Sequence, residues 1–225
     1  MVKLTGVFLT LLALAGGVRA QEEASGPLGF LRLVNGVNHG TGDLVMKVDG
    51  VSVRDEGYKL GSRTGGIPVS PGMRRVRFEC EGVEPGETTV HVKKSDTTIL
   101  VPFSELVPAT DEKPAHWTIR VLRLKQYSAE KERVATFVSV SRHPELKLEV
   151  RQGKDKWETV HVKRLSFARV NLEQPRGYVQ VRCGDVKLKD IVLAGYSNHV
   201  SVLYDDDDGV LRSKPFIDYK YVSPE

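Results

Sequence analysis

The sequence predicts an all-β protein that consists of two tandem antiparallel immunoglobulin-like β-sandwich repeats after a signal peptide. Two observations lead to this fold class. Short segments in which apolar and polar residues alternate recur along the chain, separated by turns rich in glycine and proline. The second half of the chain also repeats features of the first half at a nearly constant offset. Short alternating strands with regular turns are typical of β-sandwiches, and a repeated pattern indicates two copies of one unit.

Residues 1–20 have the order of a secretory signal peptide. Lys3 supplies a positive start, residues 7–15 form an almost unbroken apolar run, and Ala20 is the small residue before the cleavage point. We expect a flexible N-terminal segment over residues 21–29, and a periplasmic, cell-surface or secreted location. An uncleaved membrane anchor is the alternative, but the run is shorter than the roughly 18 residues that a spanning helix needs. We therefore expect no transmembrane segment after signal cleavage.

The alternation of apolar and polar residues is clearest in four segments. In each of them every second residue is apolar, which is the pattern of a strand with one buried face. These segments are residues 44–48, 76–80, 146–150 and 179–183. Since an open sheet face cannot stay apolar in water, each repeat must close its own core or share one with its twin.

Four blocks of the first half match four blocks of the second half in the same order. The matched residues are 30–40 with 134–144, 44–50 with 146–153, 74–83 with 177–186, and 94–101 with 196–203. The alignment pairs His39 with His143. We take residues 30–126 as repeat 1 and residues 127–225 as repeat 2, with the polar stretch 125–133 between them.

Charge and cysteine content narrow the possible partners. The chain has 33 basic and 29 acidic residues, and removal of Lys3 and Arg19 with the signal peptide leaves 31 against 29. This near balance does not support nucleic acid as a partner, because binding to nucleic acid needs a clear basic surface.

The two cysteines are predicted to be unpaired. Cys80 and Cys183 each end an inward-facing series, so we expect two free, buried thiols. A disulfide between the repeats is the alternative.

Two short motifs resemble the opening of a bacterial family of secreted tandem β-sandwich (Ig-like) domains of unknown function. The residues that carry the resemblance are Arg32, Val34, Asn35, Val48, Asp49 and Gly50. It covers mainly the first quarter of each repeat, and the second copy has Gln152 in place of the aspartate. The resemblance implies a non-catalytic domain and provides no site residues.

Motifs of common enzymes are missing from the sequence. It has no Gly-x-Ser-x-Gly nucleophile elbow, no His-Glu-x-x-His zinc helix, no phosphate-binding glycine loop and no Cys-x-x-Cys pair. We therefore expect neither a catalytic activity nor a cofactor.

Three residues are candidates for an interaction surface. Arg75 and Arg77 share the solvent face of one strand and could form a patch for an anionic glycan or lipid, with a solvated strand face as the alternative. Trp157 lies beside a turn and out of phase with Val160 and Val162. It is therefore predicted to be exposed and able to stack on a carbohydrate, or to cap the end of the sandwich.

An acidic run is the most unusual local feature. Asp205, Asp206, Asp207 and Asp208 precede Gly209. The ligand spacing of an EF-hand loop is not met, so these carboxylates are only a weak metal candidate. The pattern predicts a hairpin with a type I′ turn at Asp208 and Gly209, because both central residues of that turn need positive φ.

These observations predict an extracytoplasmic, non-enzymatic interaction module that binds a protein or another envelope or surface component. Two alternatives remain. One is a structural or accessory subunit of a surface assembly, such as a pilus or secretion apparatus, that acts by strand addition at an exposed edge. The other is a carbohydrate-binding protein or an uncharacterised enzyme.

Overall fold

The computed structural model describes residues 27–127 and 133–225, and these residues form strands and no helix. The predicted signal peptide, residues 21–26 of the N-terminal segment and residues 128–132 of the predicted linker lie outside the described residues. The strands are β1 (Gly29–Leu33), β2 (Thr41–Val48), β3 (Val51–Ser52), β4 (Ile67–Val69), β5 (Gly72–Glu81), β6 (Val83–Val92), β7 (Thr97–Val107), β8 (His116–Tyr127), β9 (Val134–Ser139), β10 (Glu145–Gln152), β11 (Glu158–Lys163), β12 (Phe167–Asn171), β13 (Arg176–Cys183), β14 (Val186–Lys187), β15 (Ile191–Ala194), β16 (Asn198–Asp205), β17 (Leu211–Asp218) and β18 (Tyr221–Pro224). The all-β prediction is confirmed.

A search of the described residues finds no helix with the length and apolar character that crossing a membrane requires.

The first half of the chain folds one sheet over on itself. Its strand order is β3-β2-β5-β6-β8-β7-β1-β4, and the pairing of Glu84 with Thr118 is the only register pair between β6 and β8. Gly86 lies so close to the carbonyl of Ile119 that a Cβ atom there would collide with it. The sheet curls at this point, and its two parts enclose a core that includes Leu31, Leu33, Leu44, Met46, Val76, Phe78, Val90 and Leu100.

The second half encloses its core between two separate sheets. One sheet has the order β11-β10-β13-β14, with β15 also paired to β13, and the other has the order β12-β9-β16-β17. Phe137, Leu148, Val181 and Leu203 are among the buried residues between them. The order β12-β9-β16-β17 matches the order β4-β1-β7-β8 of the first half, and in both the central pair is parallel.

A third core joins the two halves. Its side chains come from the sheet β4-β1-β7-β8 on one side and the sheet β12-β9-β16-β17 on the other, and include Ile99, Val101, Phe103, Leu124, Val138, Val200, Val202 and Phe216. Alternate residues of one strand therefore serve two cores, as Leu100 and Val101 do on β7. Each half thus closes its own core and also shares one with its twin.

Hydrogen bonds to Asp218 also connect the two halves, as does a strand that the second half contributes to the sheet of the first. Asp218 is buried and accepts hydrogen bonds from Arg32 Nη1 at 3.1 Å and from Gln126 Nε2 at 2.7 Å. The last strand, β18, leaves the second half and pairs antiparallel with β8 of the first half, with Val222 opposite Gln126. The boundary at residues 126 and 127 stays a prediction, but the final strand of the later segment lies in the sheet of the earlier one.

The prediction of purely antiparallel sandwiches is wrong in one respect, because the sheets are mixed. β1 runs parallel to β7, and β9 runs parallel to β16. Alternation of apolar and polar residues reports which face of a strand is buried, but it does not report the direction of the neighbouring strand.

Phe103→Ala is expected to lower the free energy of unfolding by about 3–5 kcal/mol, because it removes a buried ring from the shared core. Because this core joins both halves, they should unfold in a single transition. Trp117 reports on the first half and Trp157 on the second. Urea unfolding of two single-tryptophan variants, followed by fluorescence, therefore measures the unfolding midpoint of each half. Phe137→Ala, in the core of the second half alone, is the matched control. Two separate midpoints for the parent protein would contradict the coupling.

Candidate functional site

Trp157 lies over the outer face of the second half. The guanidinium carbon of Arg151 is 4.6 Å from the ring centroid, and that of Arg182 is 4.3 Å from it. Arg151 on β10 is opposite Gln180 on β13, and Glu149 is opposite Arg182. The two arginines are therefore diagonal neighbours on one sheet face, and the indole ring spans both. Such cation–π contacts hold the ring and guanidinium groups in fixed positions.

The two arginines differ in how their charge is balanced. Arg182 donates from Nε and Nη2 to both carboxylate oxygens of Glu149, at 2.8 and 3.2 Å. Arg151 donates from the same two atoms to the side-chain oxygen of Gln180, which is neutral. Among the described residues no carboxylate forms an ion pair with Arg151. The ring therefore lies beside one positive charge that the fold leaves uncompensated.

A cavity of about 380 Å³ opens beside Trp157, and Lys187 contributes to its wall. On the same face, Tyr178 and Val192 are opposite each other on β13 and β15, and their side chains are 58% and 59% exposed. Tyrosine, tryptophan and arginine are enriched at protein interfaces and among the residues that dominate binding energy. We name the surface formed by Arg151, Trp157, Tyr178, Arg182 and Val192 the Trp157 face.

Arg75 and Arg77 lie on the outer face of the first half, away from the Trp157 face, and both have acidic partners. Arg75 forms an ion pair with Glu87, and Arg77 Nε is 2.7 Å from Glu79. Lys47 also bonds to Glu79 at 2.6 Å, and the hydrogen bonds from Lys47 and Arg77 hold the pKa of this carboxyl below its ordinary value. The predicted basic patch is therefore a face of mixed charge.

The acidic run divides into buried and exposed members. Asp205 is buried and accepts hydrogen bonds from Ser141 Oγ and the Arg142 amide, both at 2.8 Å. Asp206 accepts from the Val210 amide at 2.8 Å and from Arg212 Nε at 2.7 Å. Burial alone would raise the pKa of Asp206, but these hydrogen bonds outweigh it and lower the pKa.

Asp207 and Asp208 are exposed. Within residues 27–127 and 133–225 no group of three or more histidine, cysteine, aspartate or glutamate side chains is arranged to hold a metal ion.

The hairpin prediction is confirmed, but the type I′ turn is wrong. The amide of Asp206 donates to the Val210 carbonyl, and the Gly209 amide donates to the Asp206 carbonyl. Gly209 has φ 75°, whereas neither Asp207 nor Asp208 has positive φ. The connection is therefore a three-residue loop in which only glycine adopts the left-handed conformation, a common alternative to the two-residue turn.

Asp205 has a structural counterpart in the first half. There Ser104 Oγ accepts hydrogen bonds from the amides of Asn38 and His39, both at 3.2 Å, at the end of the first strand. Asp205 accepts from Arg142, at the corresponding end of β9. The sequence alignment places Ser104 opposite Asp206, one position after Asp205, and it does not reveal which carboxylate turns inward.

A stacked pair of rings was not predicted from the sequence. The His39 and Trp117 ring centroids are 3.4 Å apart, with 20° between the ring planes. Burial lowers the pKa of His39, and nearby Arg142 adds to this while Asp207 opposes it. The two residues are far apart in sequence, and β7 brings them together, because the His39 amide bonds to Ser104 of β7 and Trp117 of β8 is opposite Leu106 of β7.

Both cysteines are free and partly buried. Cys80 packs against the core of the first half and Cys183 against that of the second. Burial raises the pKa of both thiols.

No model of a known protein family matches the chain, and no curated protein matches it either.

Asp205→Ala is expected to lower the free energy of unfolding by about 1–3 kcal/mol, because it leaves buried donors of Ser141 and Arg142 without an acceptor. Asp207→Ala is the matched control, and this exposed change should stay within about 0.5 kcal/mol. Chemical denaturation measures the free energy of unfolding of both variants. We also expect that calcium causes no specific rise in the Tm of the parent protein. Equal losses in the two variants would contradict the structural role of Asp205.

Proposed function

We propose that this chain is an extracytoplasmic, non-enzymatic interaction module that binds a protein or another component of the cell envelope or surface. The observation that carries the proposal is the Trp157 face. It combines an ordered indole ring, an uncompensated guanidinium group on Arg151 and two exposed apolar side chains, Tyr178 and Val192. Aromatic and arginine side chains of this kind contribute most of the binding energy at protein interfaces.

The fold proposed for this module is two tandem immunoglobulin-like β-sandwich repeats. The matched strand orders of the two inner sheets, each with one parallel pair, support a duplicated unit. The four sequence blocks that match between the halves support it independently. A module of this kind presents its outer sheet faces and loops to a partner, while its inner sheets hold the two repeats together.

A periplasmic, cell-surface or secreted location is part of the same proposal. Its support is the sequence of residues 1–20, with a basic start, an apolar run and a small residue at position 20. The low cysteine content agrees with it, because a chain of this size can form a hydrophobic core without disulfide bonds.

The Trp157 face predicts a specific loss of binding. Trp157→Ala and Arg151→Glu should each weaken capture of the native partner from an envelope fraction by at least about tenfold, because aromatic and arginine anchors at interfaces contribute most of the binding energy. The assay is a pull-down with tagged, folded protein, quantified over a concentration series. The double variant Arg75→Ala/Arg77→Ala is the control and should bind normally. Undiminished capture by both Trp157-face variants would refute this role of the surface.

A second candidate function is supported by an open strand edge. On the side of β8 that faces β6, Thr118 pairs with Glu84, and the C-terminal part of β8 pairs with β18. Gly86 of β6 lies against the Ile119 carbonyl, but residues 120–122 have no register pair there, and a cavity of about 480 Å³ lies beside them in the described part of the chain. An edge of this kind can accept an added strand, as in surface assemblies.

Leu165 is 38% exposed and lines this cavity. A substitution at Leu165 therefore tests whether the β8 edge or the Trp157 face is the contact surface. If the β8 edge is the contact, Leu165→Glu should abolish copurification with an assembly, because it places a charge beside the added strand. The Trp157→Ala variant should then still copurify. The opposite result assigns binding to the Trp157 face.

A further inference from the structure

A third cavity lies at the junction of the two halves, and Val192 is the residue of the Trp157 face that contributes to its wall. Its volume is about 350 Å³, within the usual range for small-molecule sites. Lys189 and Asp190, just before β15, form one wall, and Phe216 and Ile217 of β17 form another. Arg63, which precedes β4 in the first half, completes it. The second half therefore forms most of the cavity wall, and the first half adds Arg63 to it.

Three cations gather at this cavity. Arg63 and Lys189 line it, and Lys214 lies close enough that both affect it. Burial lowers the pKa of Lys214, and repulsion from Lys189 and Arg63 lowers it further. Among the described residues none of the three forms an ion pair. Asp190 lines the cavity as well, and Asp218, which acts on Arg63 from nearby, is bonded to Arg32. Like charges held together in this way favour an anion between them.

The guanidinium group of Arg63 has a fixed position. Its carbon atom is 5.4 Å from the centroid of the Phe216 ring, which is itself part of the shared core. Burial lowers the pKa of Arg63, and Arg32 lowers it further while Asp218 opposes this. A positioned arginine suits an anionic group because its planar donors match two oxygen atoms at once.

The same cavity also offers an acceptor and an apolar surface. Oδ1 of Asp190 is buried and accepts no hydrogen bond from a described residue. His199 is buried there too, and burial lowers its pKa, with Arg133 adding to this. Ile217 and Val192 are partly exposed side chains of the wall. A buried carboxylate oxygen without a donor is unfavourable, and a ligand hydroxyl would satisfy it.

We propose that this cavity binds a small hydroxylated anion, in the class of sugar phosphates and sugar acids. The phosphate or carboxylate group lies between Arg63 and Lys189. A hydroxyl group donates to Asp190, and the ring of the ligand packs against Phe216 and Ile217. The site shares Val192 with the Trp157 face, but it shares none of the cationic residues of that face.

Isothermal titration with glucose 6-phosphate, inorganic phosphate and glucose tests the proposal on the full chain at constant ionic strength. Glucose 6-phosphate should bind most tightly, because it supplies all three contacts, and inorganic phosphate should bind more weakly. Glucose alone should show no measurable binding. Binding of the two phosphates with equal affinity would overturn the sugar-ring contact, and binding of neither would overturn the site.

Variants locate the binding. Arg63→Gln and Lys189→Gln should each reduce the affinity for glucose 6-phosphate by about tenfold or more, the usual effect of losing a charged hydrogen bond. Asp190→Asn should reduce the preference for glucose 6-phosphate over inorganic phosphate. Lys94→Gln, which removes an exposed cation elsewhere, and Trp157→Ala should bind normally. Unchanged affinity in both Arg63→Gln and Lys189→Gln would overturn the assignment, whatever the outcome at the Trp157 face.

Discussion

The hydrophobic core between the two inner sheets is the constraint on which the rest of the molecule depends. Strands β7 and β16 contribute side chains to two cores at once, so neither half can shift without opening an apolar layer. Because interiors are closely packed, such a junction holds the halves in one arrangement. That arrangement brings Arg63 of the first half against Phe216 of the second, and it leaves the two outer sheet faces available to partners. Both proposed binding surfaces therefore follow from the same packing.

Much of the fold could be predicted from the pattern of apolar residues. The alternation at residues 146–150 and 179–183 corresponds to the buried faces of β10 and β13. The parallel pairs could not be predicted, because strand direction depends on how distant segments meet. The strand exchange by β18 was missed for the same reason, since residues 221–224 carry too short a pattern to identify a partner.

The candidate sites likewise depend partly on the local sequence pattern and partly on contacts between segments that are distant in sequence. Trp157 was singled out because it falls out of phase with the strand that follows it, although the structure leaves it half-buried and not exposed. Whether an arginine keeps its charge unpaired depends on strand register, which places Arg77 opposite Glu87 but Arg151 opposite Gln180. Composition could not distinguish these cases, and the sequence candidates Arg75 and Arg77 are the ones with acidic partners. The junction cavity was beyond sequence reasoning altogether, because Arg63 and Lys189 come from different halves.

Strand β18, which the second half contributes to the sheet of the first half, has a consequence for how the chain folds during its synthesis. A ribosome makes the first half before it makes residues 221–224, so the edge of β8 is partly covered only after β18 has been synthesised. Glu225 then forms ion pairs with Arg123 and Lys125 at 2.8 Å, which hold β18 against β8. The sheet of the first half is thus completed by a strand of the second half. Until that moment, the nascent protein presents an open strand edge to its surroundings, including any chaperone that handles unfinished chains.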